Sequence, residues 1–168
     1  LSVDFRSGDD NVLGNQFAKL NSLKEFRREI APCRTFVFLH ELEFLLNNNL
    51  VKGGDLDNAI VIMDRDVTQK ELDRIADLFH HEHIKLNGSK GILNNLQLHF
   101  NNEPARHKLL DIVGDLTLVG KRIKGKIIAT RPGHTANYHF AKMLQKEMNK
   151  QFADSAAPYC NLDAEPLM

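Results

Sequence analysis

PARHKLLDIVGDLTLVG, residues 104–120, is the segment that decides the fold. Apolar residues recur about once per helical turn, which is typical of a helix with one face in a core. Pro104 suits a first helical turn, and Gly120 suits the position just after a helix end. We therefore predict a buried helix over 105–119, with other elements packed around it. The apolar set is Leu109, Leu110, Val113, Leu116 and Val119.

Short helices and short strands flank this helix on both sides. Ser22 and Glu25 have capping-box spacing and predict a helix over 22–31, and Thr68 and Glu71 repeat that spacing. Without strict alternation of helix and strand, these elements indicate the α+β class, as a two-layer sandwich of a mixed β-sheet with helices on one face. Strands are predicted at 34–38, 58–63, 96–100 and 124–130, and further helices at 39–47, 69–79 and 134–150.

Two stretches differ in character from the rest. Residues 66–95 run from a helix that carries Leu72, Ile75, Leu78 and Phe79 into a polar segment rich in His, Asn and Gly, and we predict an inserted surface helix and loop there. From Phe152 the periodicity ends, which predicts a linker or tail over 151–168. One domain is therefore expected over 1–150.

Composition excludes several classes of protein. The 168 residues are 42% hydrophobic and 26% charged, which suits one domain with a real core. Lys plus Arg equals Asp plus Glu at 22 each, so no net charge favours nucleic acid. The apolar run Ala59–Met63 is far shorter than the roughly 20 residues of a membrane span. Cys33 and Cys160 cannot form a multi-bridge framework, and we expect the cytoplasm.

Candidate metal ligands lie on the central helix. His107, Asp111 and Asp115 are spaced i, i+4 and i+8, so they share one stripe of the helix. A helix can present a metal-ligand pair in this way, and the alternative is a salt-bridged face. Metal binding gains support because an acid and an imidazole in an apolar helix are costly to bury unpaired. His134 follows a strand and a turn, where it either reaches into a cleft or faces solvent.

Other residues allow both a functional and an ordinary interpretation. His80, His81 and His83 form the densest histidine cluster, and with Asp77 they could hold a metal or simply be solvated. Phe36 and Phe38 could line an apolar channel or belong to the core. Lys108 and Arg131 could bind phosphate or be surface cations. His99 and Glu103 have the same i, i+4 spacing, but His99 lies in the predicted strand and Glu103 just before Pro104, so no shared helical face is predicted for them.

Four motifs together resemble one family. They are RHKLLDIVGDL at 106–116, GHTAN at 133–137, RTFVF at 34–38 and Gly53-Gly54. In their order along the chain they are similar to the C-terminal half of the zinc-dependent UDP-3-O-acyl-N-acetylglucosamine deacetylases of lipid A biosynthesis. The resemblance covers most of residues 1–150, apart from the stretch near 66–95. It implies a two-domain enzyme in which helices lie between two sheets, and this chain matches the second domain.

The resemblance also implies roles for individual residues. His107 and Asp111 would be two of three protein ligands of Zn²⁺, and a histidine ligand and the general-base glutamate would come from the missing N-terminal domain. His134 would be the acid that protonates the leaving amine, Asp115 would orient it, and Thr35 would stabilise the oxyanion. Substrate contacts are implied for Lys108 with the nucleotide or sugar, Arg131 with the diphosphate, and Phe36, Phe38 and Gly54 with the acyl chain. At Arg131 and Pro132 the family is expected to have lysine and serine, and at Asp55 serine.

Three expectations follow from a half-enzyme. The isolated chain is predicted to bind zinc weakly or not at all, and to lack deacetylase activity, because its site is incomplete. The tail is expected to lead into a fused 3-hydroxyacyl-[acyl-carrier-protein] dehydratase, as in some family members, with a disordered extension as the alternative. The rival function is a non-catalytic interaction or metal-binding domain that uses the His80–His83 insertion.

Overall fold

A computed structural model describes residues 2–6, 12–48, 55–86, 90–93 and 96–155. The strands are β1 (Ser2–Arg6), β2 (Asn15–Lys19), β3 (Thr35–Phe38), β4 (Ala59–Met63), β5 (Gly91–Ile92) and β6 (Ile128–Thr130). The helices are α1 (Phe26–Glu29), α2 (Leu39–Asn47), α3 (Gln69–Leu78), α4 (Glu103–Leu116) and α5 (His134–Ser155). This content confirms the predicted α+β class.

The first layer consists of one mixed sheet covered by α4. Its strand order is β2-β1-β6, with β1 antiparallel to β2 and parallel to β6. Helix α4 contacts β1 and β2 on one side and α5 on the other. Leu109 is fully buried in this core, and burying each such side chain contributes about 1.5–3 kcal/mol. Core residues of this layer include Ala18, Leu20, Ile30, Ala105, Leu109, Ile112, Leu116, Val119 and Ala141.

The predicted central helix is confirmed. Helix α4 begins at Glu103 with Pro104 in its first turn, where a missing N–H costs nothing. A 3₁₀ turn at Thr117–Val119 extends it to Gly120, whose φ of +71° is a left-handed conformation that glycine adopts without strain. One apolar stripe, with Leu109 and Ile112, faces the sheet.

The second layer has its own sheet, of order β3-β4-β5, with β3 parallel to β4 and β5 antiparallel to β4. All residues of β4 are buried, because a central strand covered by helices is apolar on both faces. The predicted insertion belongs to this core and is not a surface addition. In α3, Leu72 and Ala76 are completely buried, and β5 extends the sheet. The capping box of Thr68 and Glu71 is present as predicted.

Several predicted boundaries are wrong. Residues 96–100 form no strand, because the carbonyl of Gln97 and the N–H of His99 bind the side chains of Arg34 and Glu103, not another strand. The strand predicted over 124–130 shrinks to β6, since Gly125 weakens strand structure before it. Helix α5 continues to Ser155, beyond the predicted start of the linker. Strands β1 and β2 have no counterpart in the sequence analysis, and the strands divide into two sheets.

The described part of the chain contains no helix with the length and apolar character needed to cross a membrane.

Candidate active site

The candidate site lies where the middle of α4 meets the start of α5. Helix α4 brings His107, Asp111 and Asp115 onto one face, and α5 begins with His134 directly opposite. His134 Nε2 lies 3.9 Å from Asp111 Oδ2, although the two residues are far apart in sequence. The two helices pack against each other through the first core, so this approach is set by the fold.

His107 has a defined orientation. Its Nδ1 donates a hydrogen bond to the carbonyl oxygen of Cys33, at 3.2 Å. Because a carbonyl only accepts, the hydrogen is on Nδ1, and in the neutral ring Nε2 carries a lone pair. That Nε2 lies 3.4 Å from Asp111 Oδ1. In a typical metal-binding histidine, one ring nitrogen donates to an acceptor such as a backbone carbonyl, and the other nitrogen is left to bind the metal beside a second ligand.

Asp111 is the most buried acid of the site, with a side chain only 7% exposed. Lys108 Nζ donates to its Oδ2 at 3.0 Å, so this carboxylate has a cationic partner. That ion pair is also what the alternative of a salt-bridged helix face requires. The two interpretations of this stripe therefore share the same contacts, and the convergence of His107 and His134 on one carboxylate is what favours the site.

His134 and Asp115 form a second pair. His134 Nδ1 lies 2.9 Å from Asp115 Oδ2, and the same oxygen accepts a hydrogen bond from Asn137 Nδ2 at 2.9 Å. The His134 ring is 70% exposed, which leaves Nε2 accessible to a bound molecule. Asn137 is a site residue that the sequence analysis did not assign. Its signal was its spacing, three residues after His134 on the same helix.

These residues fit part of a zinc site. His107 Nε2 and Asp111 Oδ1 are suitable donors, held close together on adjacent turns. A catalytic zinc takes three protein ligands and keeps one open position. Within the described residues, no group of three or more His, Cys, Asp or Glu side chains is arranged to hold a metal ion.

Strand β3 lines the other side of the candidate site. Thr35 is its exposed first residue, and the rings of Phe36 and Phe38 are half-buried and edge-on to each other at 6.1 Å. Phe36 also meets the His107 ring edge-on at 6.3 Å, and Lys108 Nζ lies 5.0 Å above the Phe36 ring. Phe36 packs against the first core, so it has both the core position and the site position that the sequence left open.

The resemblance also assigns Arg131 and Gly54 to substrate binding. Arg131 is exposed at the turn before α5, with a φ of +53°, a left-handed conformation that is uncommon for arginine. Gly54 lies outside the described residues.

Cys33 borders the site but is not a nucleophile. Burial, and then the nearby Glu103 carboxylate, raise the pKa of its thiol to about 11. The thiol is therefore protonated at neutral pH, and only a thiolate is reactive. Its backbone carbonyl, which the sequence analysis did not consider, is the part that contacts His107.

The His80–His83 stretch does not form one cluster. His81 Nε2 pairs with Asp57 Oδ1 at 3.0 Å, and His83 Nδ1 lies 3.4 Å from Asp73 Oδ1. The carbonyl of Glu82 and then Asp57 raise the pKa of His81 above its usual value. Because these histidines have separate acidic partners, the metal-binding alternative centred on Asp77 and this stretch lacks a converging ligand set.

A histidine and carboxylate suited to metal binding, beside a second histidine oriented by another carboxylate, is an arrangement typical of metal-dependent hydrolases. Comparison with known proteins shows the family to which the chain belongs. The family model described as UDP-3-O-acyl N-acetylglycosamine deacetylase, LpxC, matches residues 1–86 and 81–146. The chain therefore belongs to the LpxC family.

Curated relatives are similar along most of this chain. The bifunctional enzyme LpxC/FabZ of Porphyromonas gingivalis is 49% identical over 157 residues, which are 94% of this chain and 33% of that protein. The enzyme of the same name from Bacteroides thetaiotaomicron is 48% identical, over 96% of this chain and 34% of its own length. The UDP-3-O-acyl-N-acetylglucosamine deacetylase of Chlamydia pneumoniae is 38% identical, over 86% of this chain and 43% of its own length. The chain thus spans about a third to two fifths of these relatives.

Proposed function

We propose that this chain is the second domain of a zinc-dependent deacetylase that removes the N-acetyl group of UDP-3-O-acyl-N-acetylglucosamine in lipid A biosynthesis. The observation that carries the proposal is the convergence of His107, Asp111, Asp115 and His134 from two helices. Family membership and the printed names of the relatives support the substrate. We also propose that the protein acts in the cytoplasm.

His107 and Asp111 are proposed as two zinc ligands, and the third ligand and a general-base glutamate would come from a preceding domain. Bound zinc would supply a Lewis acid for the amide carbonyl and an activated water nucleophile at neutral pH. His107 would bind through Nε2, because Nδ1 is already bonded to the Cys33 carbonyl. On this proposal residues 1–150 form the domain and carry an incomplete site, so the isolated chain is expected to be inactive.

His134 is proposed as the general acid. Its Nδ1–H is held by Asp115, so the protonated ring presents Nε2–H towards Asp111 and any amide bound there. Transfer of that proton to the leaving nitrogen would let the amine depart as a neutral group. Asn137 donates to the same Asp115 oxygen and so limits rotation of the carboxylate. Thr35 would donate its hydroxyl hydrogen to the oxyanion that develops on the attacked carbonyl.

The remaining assignments concern binding of the substrate. Lys108 would meet the nucleotide or sugar, and Arg131 the diphosphate, since both are cations beside the site. Phe36, Phe38 and Gly54 would flank the acyl chain with apolar and bare backbone surface. The tail over 151–168 would lead into a fused dehydratase, a proposal supported by the relatives named LpxC/FabZ.

A matched pair of histidine variants tests the proposal in a longer protein that contains this chain and its preceding domain. Deacetylation of UDP-3-O-(3-hydroxyacyl)-N-acetylglucosamine is measured for the parent, His134→Asn and His139→Asn. His139 lies further along α5, where it is exposed and contacts Tyr138. We expect kcat to fall by about 10²–10⁴-fold for His134→Asn and to stay unchanged for His139→Asn.

Two results would overturn the proposal. One is a parent-like kcat in His134→Asn, because His134 would then not be the general acid. The other is deacetylation by the isolated 168-residue chain, which would show that the site needs no preceding domain.

A further inference from the structure

Glu103 is a buried carboxylate that the proposed reaction does not use. Its side chain is completely buried at the first residue of α4. Burial raises the pKa of its carboxyl, but the hydrogen bonds, those from Arg34 first, outweigh burial. The pKa therefore lies below the usual value. A buried charge is tolerated only when it is fully paired. Glu103 accepts from Arg34 Nε at 2.9 Å, from Arg34 Nη2 at 3.0 Å and from the His99 N–H at 2.7 Å.

A further bond of Glu103 reaches the backbone next to the site. Its Oε1 accepts from the N–H of Arg34, at 2.9 Å. That N–H and the carbonyl of Cys33 belong to the same peptide group. The carbonyl of this group is the acceptor for His107 Nδ1, at 3.2 Å. The Cys33–Arg34 peptide is therefore held at its N–H by Glu103 and contacts His107 through its oxygen, and these two residues are one turn apart on α4.

This arrangement links a carboxylate to the orientation of an imidazole through one peptide group. Because the peptide is planar, fixing its N–H also fixes the direction of its carbonyl. The carbonyl in turn determines which nitrogen of His107 carries the hydrogen and where Nε2 points. A hydrogen bond to an ionised acceptor at the N–H also polarises the peptide and strengthens the bond made by its oxygen.

The same contacts set the start of β3. Arg34 directly precedes Thr35, and its guanidinium also donates to the Gln97 carbonyl at 2.7 Å. Glu103 thereby fixes β3 and α4 relative to each other at the point where both enter the candidate site.

We infer that Glu103 is a positioning residue for His107, which holds the Cys33–Arg34 peptide so that the Cys33 carbonyl directs His107 Nε2 at Asp111. This inference rests on the proposed function, because it gives His107 the role of a metal ligand. An orienting group behind a ligand commonly changes metal affinity by about 10–100-fold when it is removed.

Cobalt binding tests the inference without measuring activity. The longer, metal-depleted protein is titrated with Co²⁺ under competition from a chelator, and the visible absorption spectrum is recorded for the parent and for Glu103→Gln, Glu29→Gln and His107→Ala. Glu29→Gln is the matched control, because the Glu29–Arg106 ion pair of 3.0 Å also joins α1 to α4 but does not include the Cys33–Arg34 peptide. Thermal unfolding of each variant is measured in parallel.

We expect about 10–100-fold weaker Co²⁺ binding and an altered spectrum for Glu103→Gln, and parent-like binding for Glu29→Gln. If Glu103→Gln does not fold, the double variant Arg34→Met/Glu103→Gln is used instead. The double variant removes the guanidinium that would otherwise be left unpaired, and we expect it to bind Co²⁺ at least tenfold more weakly than the parent.

The outcomes separate this inference from the function on which it rests. Only the positioning role is overturned if folded Glu103→Gln, or the double variant, binds Co²⁺ like the parent while His107→Ala binds it weakly. Equal weakening by Glu29→Gln also overturns it, because any loosening of α1 against α4 would then suffice. Parent-like binding by His107→Ala removes the metal site itself, and the inference fails with the proposed function.

Discussion

Two regions of this molecule with several histidines use them differently. Around His80–His83 the histidines are adjacent in sequence, but each ring that forms an ion pair has its own acid, Asp57 or Asp73. In the candidate site, His107 and His134 come from different helices and approach the same carboxylate, Asp111. The density of histidines in a sequence is thus a poor guide to a site, and convergence on a buried acid is a better one.

The two regions also differ in what surrounds the rings. His83 is 70% exposed and its partner Asp73 40%, so water solvates both members of that pair. His107 is 15% exposed and Asp111 7%, and His107 is further held by a backbone carbonyl. A solvated ion pair contributes little to stability, whereas a buried set of polar groups has to be fully bonded to be tolerated. The following predictions test this contrast.

The largest effect is expected from the acid that orients a histidine. Asp115→Asn should lower kcat of the longer protein by about 10²–10⁴-fold, since an amide can donate to His134 Nδ1 and favour the wrong tautomer. Asp57→Asn removes the corresponding acid of His81 and should leave kcat unchanged. Steady-state kinetics of both variants measure the difference. Equal kcat values for the two variants would show that the regions do not differ in this respect.

The predictability of these two regions from sequence was also unequal. The site helix was predicted because Leu109, Val113 and Leu116 repeat at helical spacing, and the structure packs them in or against a core. Helix α3 was predicted equally well as a helix, from its capping box, but its place was wrong. The polar segment that follows it suggested a surface insertion, whereas Leu72 and Ala76 are completely buried.

Contacts between distant segments were beyond what periodicity can predict. The i, i+4 spacing placed His107 and Asp111 together, but the approach of His134 depends on how α5 packs against α4. Strand-like alternation over 96–100 was misleading, because its backbone bonds to Arg34 and Glu103. No shared helical face was predicted for His99 and Glu103, and the structure joins them through the backbone N–H of His99 instead. The assigned roles of His107, Asp111, Asp115 and His134 stay predictions until they are tested.

The next largest effect concerns the core of the second layer. Leu72→Ala should reduce the free energy of unfolding by about 2–5 kcal/mol, because it leaves a cavity at a completely buried position of α3. Leu78 on the same helix is 52% exposed, and Leu78→Ala should change that free energy by less than about 0.5 kcal/mol. Urea unfolding of both variants makes the comparison. A small effect at Leu72 would restore the interpretation of α3 as a surface insertion.

A smaller effect is expected at the start of α3. Thr68 accepts from the Glu71 N–H at 3.3 Å, and Thr68→Ala should reduce stability by about 1 kcal/mol through loss of this cap. The Thr68 N–H, then Arg65, lower the pKa of Glu71 to about 2. Since this pKa is depressed in the folded chain, the contribution of Glu71 is complete above pH 4.5 and is lost as the pH falls towards 2. Urea unfolding at pH 7, pH 4.5 and pH 2.5 checks both statements, and pH-independent stability through that range would contradict the second.

The smallest effect belongs to the histidine-rich stretch itself. Because the Glu82 carbonyl and Asp57 raise the pKa of His81, its contribution to stability is complete below the unfolded value of 6.5 and is lost as the pH rises through the folded pKa. His81→Gln should therefore be slightly less stable than the parent at pH 5.5 and equally stable at pH 8.5. Denaturant midpoints at the two pH values measure this. A deficit that is larger at pH 8.5 would contradict the assigned partners.

Zinc binding by the longer protein tests most directly the claim that convergence, and not density, makes the site. Zinc content and affinity are measured for the parent, for His107→Ala, and for a variant in which His80, His81 and His83 are all changed to Gln. The account predicts one tightly bound zinc in the parent and in the triple variant, and loss of tight binding in His107→Ala. Tight zinc that survives His107→Ala and disappears in the triple variant would move the metal to the histidine-rich stretch and contradict the account.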